Sequence, residues 1–230
     1  MPNSYSGPFK IVALLPMKAN STRVPGKNFR DFCGKPLFRW ILDTLLEVDE
    51  IDKVVINTDA REILAENGLV ESEKILIRDR PLQICGDDVS MNLVLEDDIN
   101  NVQSAYYLMT HTTNPLVRAT TIKDAIKTFL CHESADSLFS VNKIQTRFYR
   151  ADASPINHDP TSLIPTQQLE PWFEENSNFY LFTRNSFSHT SARIGMKPIM
   201  YETPHFESFD IDTPADWQFA EIANRYLRNA

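Results

Sequence analysis

Short apolar runs and amphipathic stretches alternate along this chain. Residues 11–15 (Ile-Val-Ala-Leu-Leu) are continuously apolar and predict a strand buried on both faces. Residues 54–57 form a second, β-branched strand, and 75–77, 105–109 and 137–141 read as three more. Between them, residues 36–46 set Leu37, Trp40, Ile41, Thr44 and Leu45 at helical spacing. Thr58-Asp59 opens a short helix over 61–67, which Gly68 stops. Ser90 caps a helix running to about Asn100, and residues 120–131 are helical. Strand and helix alternating in this way predict an α/β fold: a doubly wound, mostly parallel sheet with right-handed crossovers.

The pattern changes after Val141. Residues 142–175 hold several prolines and few long apolar runs, so the stretch reads as an inserted arm and not as another strand–helix unit. A strand resumes over 178–182. A last helix opens at Thr213-Pro214-Ala215-Asp216, with a threonine N-cap, proline at its first position and an acid in its first turn. The expected organisation is one domain over 1–230, with 142–177 as the arm.

Composition narrows the function classes. A length of 230 residues, 42% hydrophobic and 23% charged, suits one soluble domain with a sizeable core. The formal net charge of −8 argues against a nucleic-acid or anionic-membrane binder. No apolar run reaches the ~18 residues of a membrane span, and residues 1–10 lack a basic-then-apolar signal pattern. Cys33, Cys85 and Cys131 are odd in number and far apart, which points to the reducing cytoplasm.

Against that acidic background the loop after the first strand is basic. Residues 16–28 hold Lys18, Arg23 and Lys27, the hydroxyls of Ser21 and Thr22, the Asn28 amide and Gly26. Such a loop at the carboxyl end of a parallel strand lies where open α/β sheets bind ligands, and its cations and turning backbone suit a polyphosphate. It has neither the P-loop spacing nor G-x-G-x-x-G. By spacing alone, a solvated surface loop is an equal alternative.

The loop resembles the signature of sugar-activating cytidylyltransferases, (I/L)-P-A-R-x-x-S-x-x-x-P-x-K-N followed by Gly-Lys-Pro-Leu. Pro16, Ser21, Pro25, Lys27, Asn28, Gly34, Lys35, Pro36 and Leu37 all match. Four more motifs follow in the family's order. They are Val55-Ile56-Asn57-Thr58-Asp59, Arg80-Pro81 with Asp87 to Ser90, Thr113-Asn114-Pro115-Leu116-Val117-Arg118, and Asp210-Ile211-Asp212-Thr213-Pro214-Ala215-Asp216. The set spans nearly the whole chain and is most similar to the acylneuraminate branch, with a likeness to the 3-deoxy-manno-octulosonate branch in Ser21 to Lys27.

The resemblance implies a Rossmann-like nucleotidyltransferase fold with a small dimerisation arm. It also implies transfer of CMP from CTP to an acidic, sialic-type sugar, with release of pyrophosphate. Lys27, and Lys18 at the family's arginine position, become the catalytic cations, since phosphate charge must be neutralised as the bond to pyrophosphate stretches. Lysine for arginine gives up the planar fork. Pro16, Met17, Lys18, Ser21, Asn28, Arg80, Ser90 and Thr113 become nucleotide contacts, and an amide such as that of Asn28 can select cytosine. Asp210 and Asp212, two apart in an extended segment, would face one way and hold Mg2+ as the family does. Unaided, their spacing speaks first for capping of the last helix.

The sugar side falls to His111, where the family often has glutamine, and to Gln168, Phe173 and Asn176 in a stretch similar to Q-Q-L-P-x-x-F-R-P-N-G. Glu174 replaces that stretch's arginine and Ser177 its glycine. A glutamate repels a carboxylate, which disfavours N-acetylneuraminate and favours a related nonulosonic acid or an amine-bearing sugar. An acidic ligand at Thr113–Asn114, expected of the octulosonate branch, is missing. His111 could serve as a general base, but a lone histidine is more often a polar contact or a core residue. The aromatics Phe148, Tyr149, Trp172 and Phe173 in the arm imply a covering surface, hence a homodimer. The expected partners are CTP and an acidic sugar, with neither nucleic acid nor membrane. The competing readings are a nucleotidyltransferase for another base or acceptor, and a catalytically silent nucleotide-binding partner protein.

Overall fold

The computed structural model describes residues 9–229. Among the described residues there are nine strands and six α-helices, alternating through most of the chain. The first half runs β1 (Phe9–Leu14), β2 (Asp31–Phe32), β3 (Lys35–Pro36), α1 (Leu37–Leu46), β4 (Lys53–Thr58), α2 (Arg61–Glu66), β5 (Ile75–Asp79) and α3 (Met91–Asn101). The second half runs β6 (Ser104–Thr110), α4 (Ala119–Cys131), β7 (Ser137–Ile144), β8 (Trp172–Thr183), α5 (Arg184–Thr190), β9 (Pro198–Glu202) and α6 (Pro214–Asn229).

Seven strands form one sheet in the order β5-β4-β1-β6-β8-β7-β9. Only β8 runs against its neighbours; the other pairs are parallel. Strand β1 shows why the sheet is covered on both sides. Ile11, Ala13 and Leu15 point into one core with Phe38, Ile41, Leu42 and Ile122 from α1 and α4. Val12 and Leu14 point into another with Leu95 and Ile99 from α3 and Phe187 from α5. Each such buried aliphatic side chain contributes on the order of 2 kcal/mol, so a continuous apolar run is what this position demands. The chain passes from β1 to β4 on one side and later to β6 on the other. The switch point therefore lies at the carboxyl ends of β1 and β6.

A third apolar cluster ties the loop after β1 to the last helix. Val24, Phe32, Leu37, Ile211, Trp217 and Ala220 pack together, with Phe32 edge-on to Trp217 at 5.5 Å between ring centroids. Phe32 is presented by the β2–β3 hairpin, whose two turn residues, Cys33 and Gly34, both have positive φ (52° and 96°), as a type I′ turn requires. Sequence patterning had not predicted β2, β3, α5 or β9.

The stretch 142–177 begins and ends inside strands, because β7 runs on to Ile144 and β8 starts at Trp172, the two pairing across Lys143 and Phe173. The ladder shifts register between Phe139 and Val141, opposite Ser177, whose φ of 58° is left-handed. Beyond the paired part, Tyr149, Ile156, Leu163 and Ile164 are exposed, as are Trp172 and Phe173 on β8. No helix among the described residues is long and apolar enough to cross a membrane.

Candidate active site

The loop after β1, the β6–α4 connection and the segment before α6 meet at the switch point. Lys27 is 8% exposed, and its ammonium donates to the Ile211 carbonyl oxygen at 2.7 Å and stands 3.6 Å from Asp212 Oδ1. Burial lowers its pKa, and the nearby Asp212 and Asp210 carboxylates work the other way. The Ile211 N–H in turn donates to the Thr113 carbonyl at 2.9 Å, joining the acidic segment to the end of β6. Arg23 grips Asp212 with both guanidinium nitrogens, at 2.9 and 2.8 Å.

Asp210 is shaped for a cation. One of its carboxylate oxygens, Oδ1, is buried with no hydrogen-bond partner, while the Thr113 hydroxyl bonds the carboxylate. Burial raises the Asp210 pKa, and Asp212 adds to the rise. An orphaned buried carboxylate oxygen beside a second carboxylate fits a hard divalent ion completed by substrate oxygens. Among the described residues no group of three or more His, Cys, Asp or Glu forms a ready-made cage, so any such ion would draw ligands from the nucleotide.

Asn28 is fixed from two sides: its amide donates to the Lys18 carbonyl at 2.8 Å and accepts from the Thr112 hydroxyl at 2.7 Å. Lys18 itself pairs with Asp87. Met17 follows Pro16 into the site, its N–H on the Asn57 carbonyl at 3.0 Å and its carbonyl accepting from Arg80 at 3.2 Å. Arg80 also bonds the Asn57 side chain and carbonyl, both at 2.8 Å. Burial lowers the Arg80 pKa, countered by Asp59, Cys85, Asp98 and Asp97. Ser21 sits half-buried on the loop, and Ser90 caps α3 by accepting from the Asn92 N–H at 3.3 Å.

His111 follows β6 directly. It is partly open at the surface, yet its ring is crowded. Burial, with the Arg193 and Lys27 cations, holds its pKa at about 4. In this state it is a neutral hydrogen-bonding group and a weak base at neutral pH. Asn176 is buried and spends its amide inside the protein, on Asn142, Thr203 and the Asn178 N–H. Gln168 and Phe173 are exposed on the arm, with no hydrogen bond or ion pair to the other predicted residues among the described ones.

The sequence motifs did not flag Arg78 or Thr112, held Asn57 without giving it a role, and passed over Arg193. Asn57 donates to Asp97 at 3.1 Å and to Asp98 at 2.8 Å, and Arg78 pairs with the same two acids at 2.9 and 2.8 Å. Thr112 holds Asn28, and Arg193 approaches His111. The available signal was a polar residue ending an apolar strand, with arginines at alternate positions of the next strand.

The profile of one family, described as Cytidylyltransferase, matches residues 12–229. This chain belongs to the cytidylyltransferase family. Among the relatives of this cytidylyltransferase is the pseudaminic acid cytidylyltransferase of Campylobacter jejuni serotype O:2. It is 25% identical over 224 residues, covering 93% of this chain and 95% of the relative. The CMP-N,N'-diacetyllegionaminic acid synthase of Legionella pneumophila is 25% identical over 223 residues, covering 92% and 95%. Among solved structures, CMP:2-keto-3-deoxy-manno-octonic acid synthetase complexed with CTP superposes with a TM-score of 0.66 at 14% identity. It covers 96% of this chain and all of that one (100%). At such identity the likeness is one of fold: a mostly parallel sheet covered by helices.

Proposed function

We propose that this cytidylyltransferase transfers CMP from CTP to an acidic sugar of the nonulosonic, sialic-type class. The sugar hydroxyl oxygen bonds to the α-phosphorus, the bond from that phosphorus to the bridging oxygen breaks, pyrophosphate leaves, and the hydroxyl proton is released. The observation that carries the reading is the convergence of Lys27 with Asp212, Ile211 and Thr113 at the switch point. Lys27, desolvated and held from below, faces charge that grows on the phosphates as the leaving group departs, where a preorganised cation acts most strongly. Arg80 and Asn28 are locked by backbone and side-chain bonds and present a rigid rim for the nucleotide. The names of the relatives favour a nine-carbon acid as acceptor.

Asp210 and Asp212 would hold Mg2+ together with phosphate oxygens. Bound there, the ion would neutralise phosphate charge. Arg23 engages Asp212 and would have to swing away. The exposed apolar residues of the arm support a homodimer, since Tyr149, Leu163, Ile164, Trp172 and Phe173 are together costly to leave in water.

Pyrophosphate release with CTP, Mg2+ and a panel of nonulosonic acids tests the reading. Turnover with CTP and a sugar acid is the expected result. Turnover only with UTP, or CTP binding without turnover of any acid, overturns it.

A further inference from the structure

Arg193 has no role in the machinery described above, yet it sits beside it. It lies in the connection between α5 and β9, with its side chain 22% exposed. Its guanidinium stacks on the Tyr180 ring, 3.8 Å from the centroid, which fixes the plane of the fork. Few of its donors are used: one nitrogen reaches Glu175 Oε1 at 3.4 Å and another approaches the Met109 sulfur at 4.0 Å. A well-formed guanidinium–carboxylate bond is about 2.7–2.9 Å, so the Glu175 contact is loose. That carboxylate is engaged by the Tyr180 hydroxyl instead. Arg193 also lines an open cavity of about 260 Å³ with Ser90, Met91, Asn92, Ala192 and Ile194. This cavity borders the cap of α3, and the Arg193 charge is among the causes that lower the His111 pKa.

We infer that Arg193 is the group that recognises the carboxylate of the acceptor sugar, taking it in its planar fork in the cavity beside Ser90 and Asn92. The inference rests on the acidic-sugar reading and names the residue that makes the site selective for an acid. The phosphates have their own cations, Lys18, Arg23 and Lys27, on the loop after β1. Arg193 comes from a different segment, the connection that follows α5, and is held only loosely by Glu175. The Glu175 carboxylate marks where its donors point. Glu174, the other nearby acid, is turned to Asn142, accepting from its amide at 3.0 Å. A bidentate fork suits a flat carboxylate, and lysine lacks it.

The test compares wild type, Arg193→Gln and Arg193→Lys with CTP and each of two acceptors: a nonulosonic acid that wild type turns over, and its C1 methyl ester. Truncating one side of such a charged pair costs on the order of 30-fold or more. Wild type should prefer the acid by that factor in kcat/KM. Arg193→Gln should lose the preference by slowing the acid alone, and Arg193→Lys should keep part of it. The KM for CTP should stay within about 2-fold throughout. Unchanged acid preference in either variant overturns the assignment, as does an equal loss on acid and ester or a matching rise in the KM for CTP. Should Arg193→Gln lower the melting temperature, Arg193→Lys, which keeps the cation on Tyr180, decides alone. Absence of turnover by wild type with any sugar acid removes the acceptor reading and this inference together. Normal wild-type turnover with unaltered selectivity in the variants removes only the inference.

Discussion

Lys27 meets Asp212 across the whole length of the chain, its ammonium 3.6 Å from Oδ1. The contact exists because Trp217 and Ile211 pack on Phe32 and Val24 and draw the last helix onto the loop after β1. Lys27→Ala should leave that apolar cluster intact and lower turnover at least ~100-fold, the scale of one lost transition-state contact. Circular dichroism should show a folded protein. An unchanged kcat would remove Lys27 from the chemistry and leave it as a tie to the Ile211 carbonyl.

Asp98 makes stability depend on pH in a definite direction. It is fully buried, one oxygen bonded to Asn57 and Arg78 and the other without a partner. Burial pushes its pKa up to about 7 against an ordinary 3.8, with Asn57, Arg78 and Arg80 opposing and Asp97 adding to the rise. The folded state thus binds this proton more tightly than the unfolded chain. The contribution is fully present below about pH 4 and is lost as pH rises through about 7. At 1.36 kcal/mol per pKa unit the span is at most about 4 kcal/mol. Asp98→Asn keeps the shape and removes the titration. Its melting temperature relative to wild type should therefore climb between pH 5 and pH 8. A flat difference across that range would show that Arg78 keeps Asp98 ionised throughout.

The sheet was readable where packing and pattern coincide. Residues 11–15 and 54–57 are apolar because both faces are covered, and helix α4 was legible because Ile122, Ala125, Ile126 and Phe129 share one face. The acidic pair, Lys27 and the cap at Thr213 were legible as motifs. Strand β9 was not, because it lies at the sheet's edge and leaves Met200 exposed, so it carries no continuous apolar run. Residues 78 and 79 looked like loop because they are charged. They extend β5 because Arg78 finds Asp97 and Asp98 on α3. Arg193 escaped notice because what distinguishes it, the Tyr180 ring beneath it and the cavity beside it, is assembled only in three dimensions.

The arm predicts an assembly. Leu163 is 76% exposed and Ile164 40%, beside Tyr149 and the stacked pair Phe148 and Trp172. Sedimentation at micromolar concentration should give a dimer. Leu163→Asp should shift it towards monomer, because a charge forced into an apolar contact is left unpaired. The mutated side chain is exposed within one chain, so the melting temperature of the monomer and its affinity for CTP should barely change. A wild-type monomer at that concentration would leave the arm's apolar surface to another use.

Asp210 should trade stability against function. Its buried, unpartnered Oδ1 and raised pKa mean that the ionised carboxylate is costly to the fold. The sign follows: the stabilising effect of the protonated form is complete below the unfolded pKa and disappears as pH rises through the folded one, so at neutral pH the charge is a burden. Asp210→Asn removes that charge at constant volume. Its melting temperature at pH 7.5 should be equal to or higher than that of wild type. The same change takes away an anionic ligand for the metal. The Mg2+ concentration needed for half-maximal turnover should rise at least roughly 10-fold, and calorimetry should show weaker binding of CTP with Mg2+ while binding without it is kept. Chelation of divalent ions should stop wild-type turnover. A variant that melts earlier and keeps its Mg2+ dependence would make Asp210 a structural acid, with its cost to the fold met by Thr113, Lys27 and Arg23.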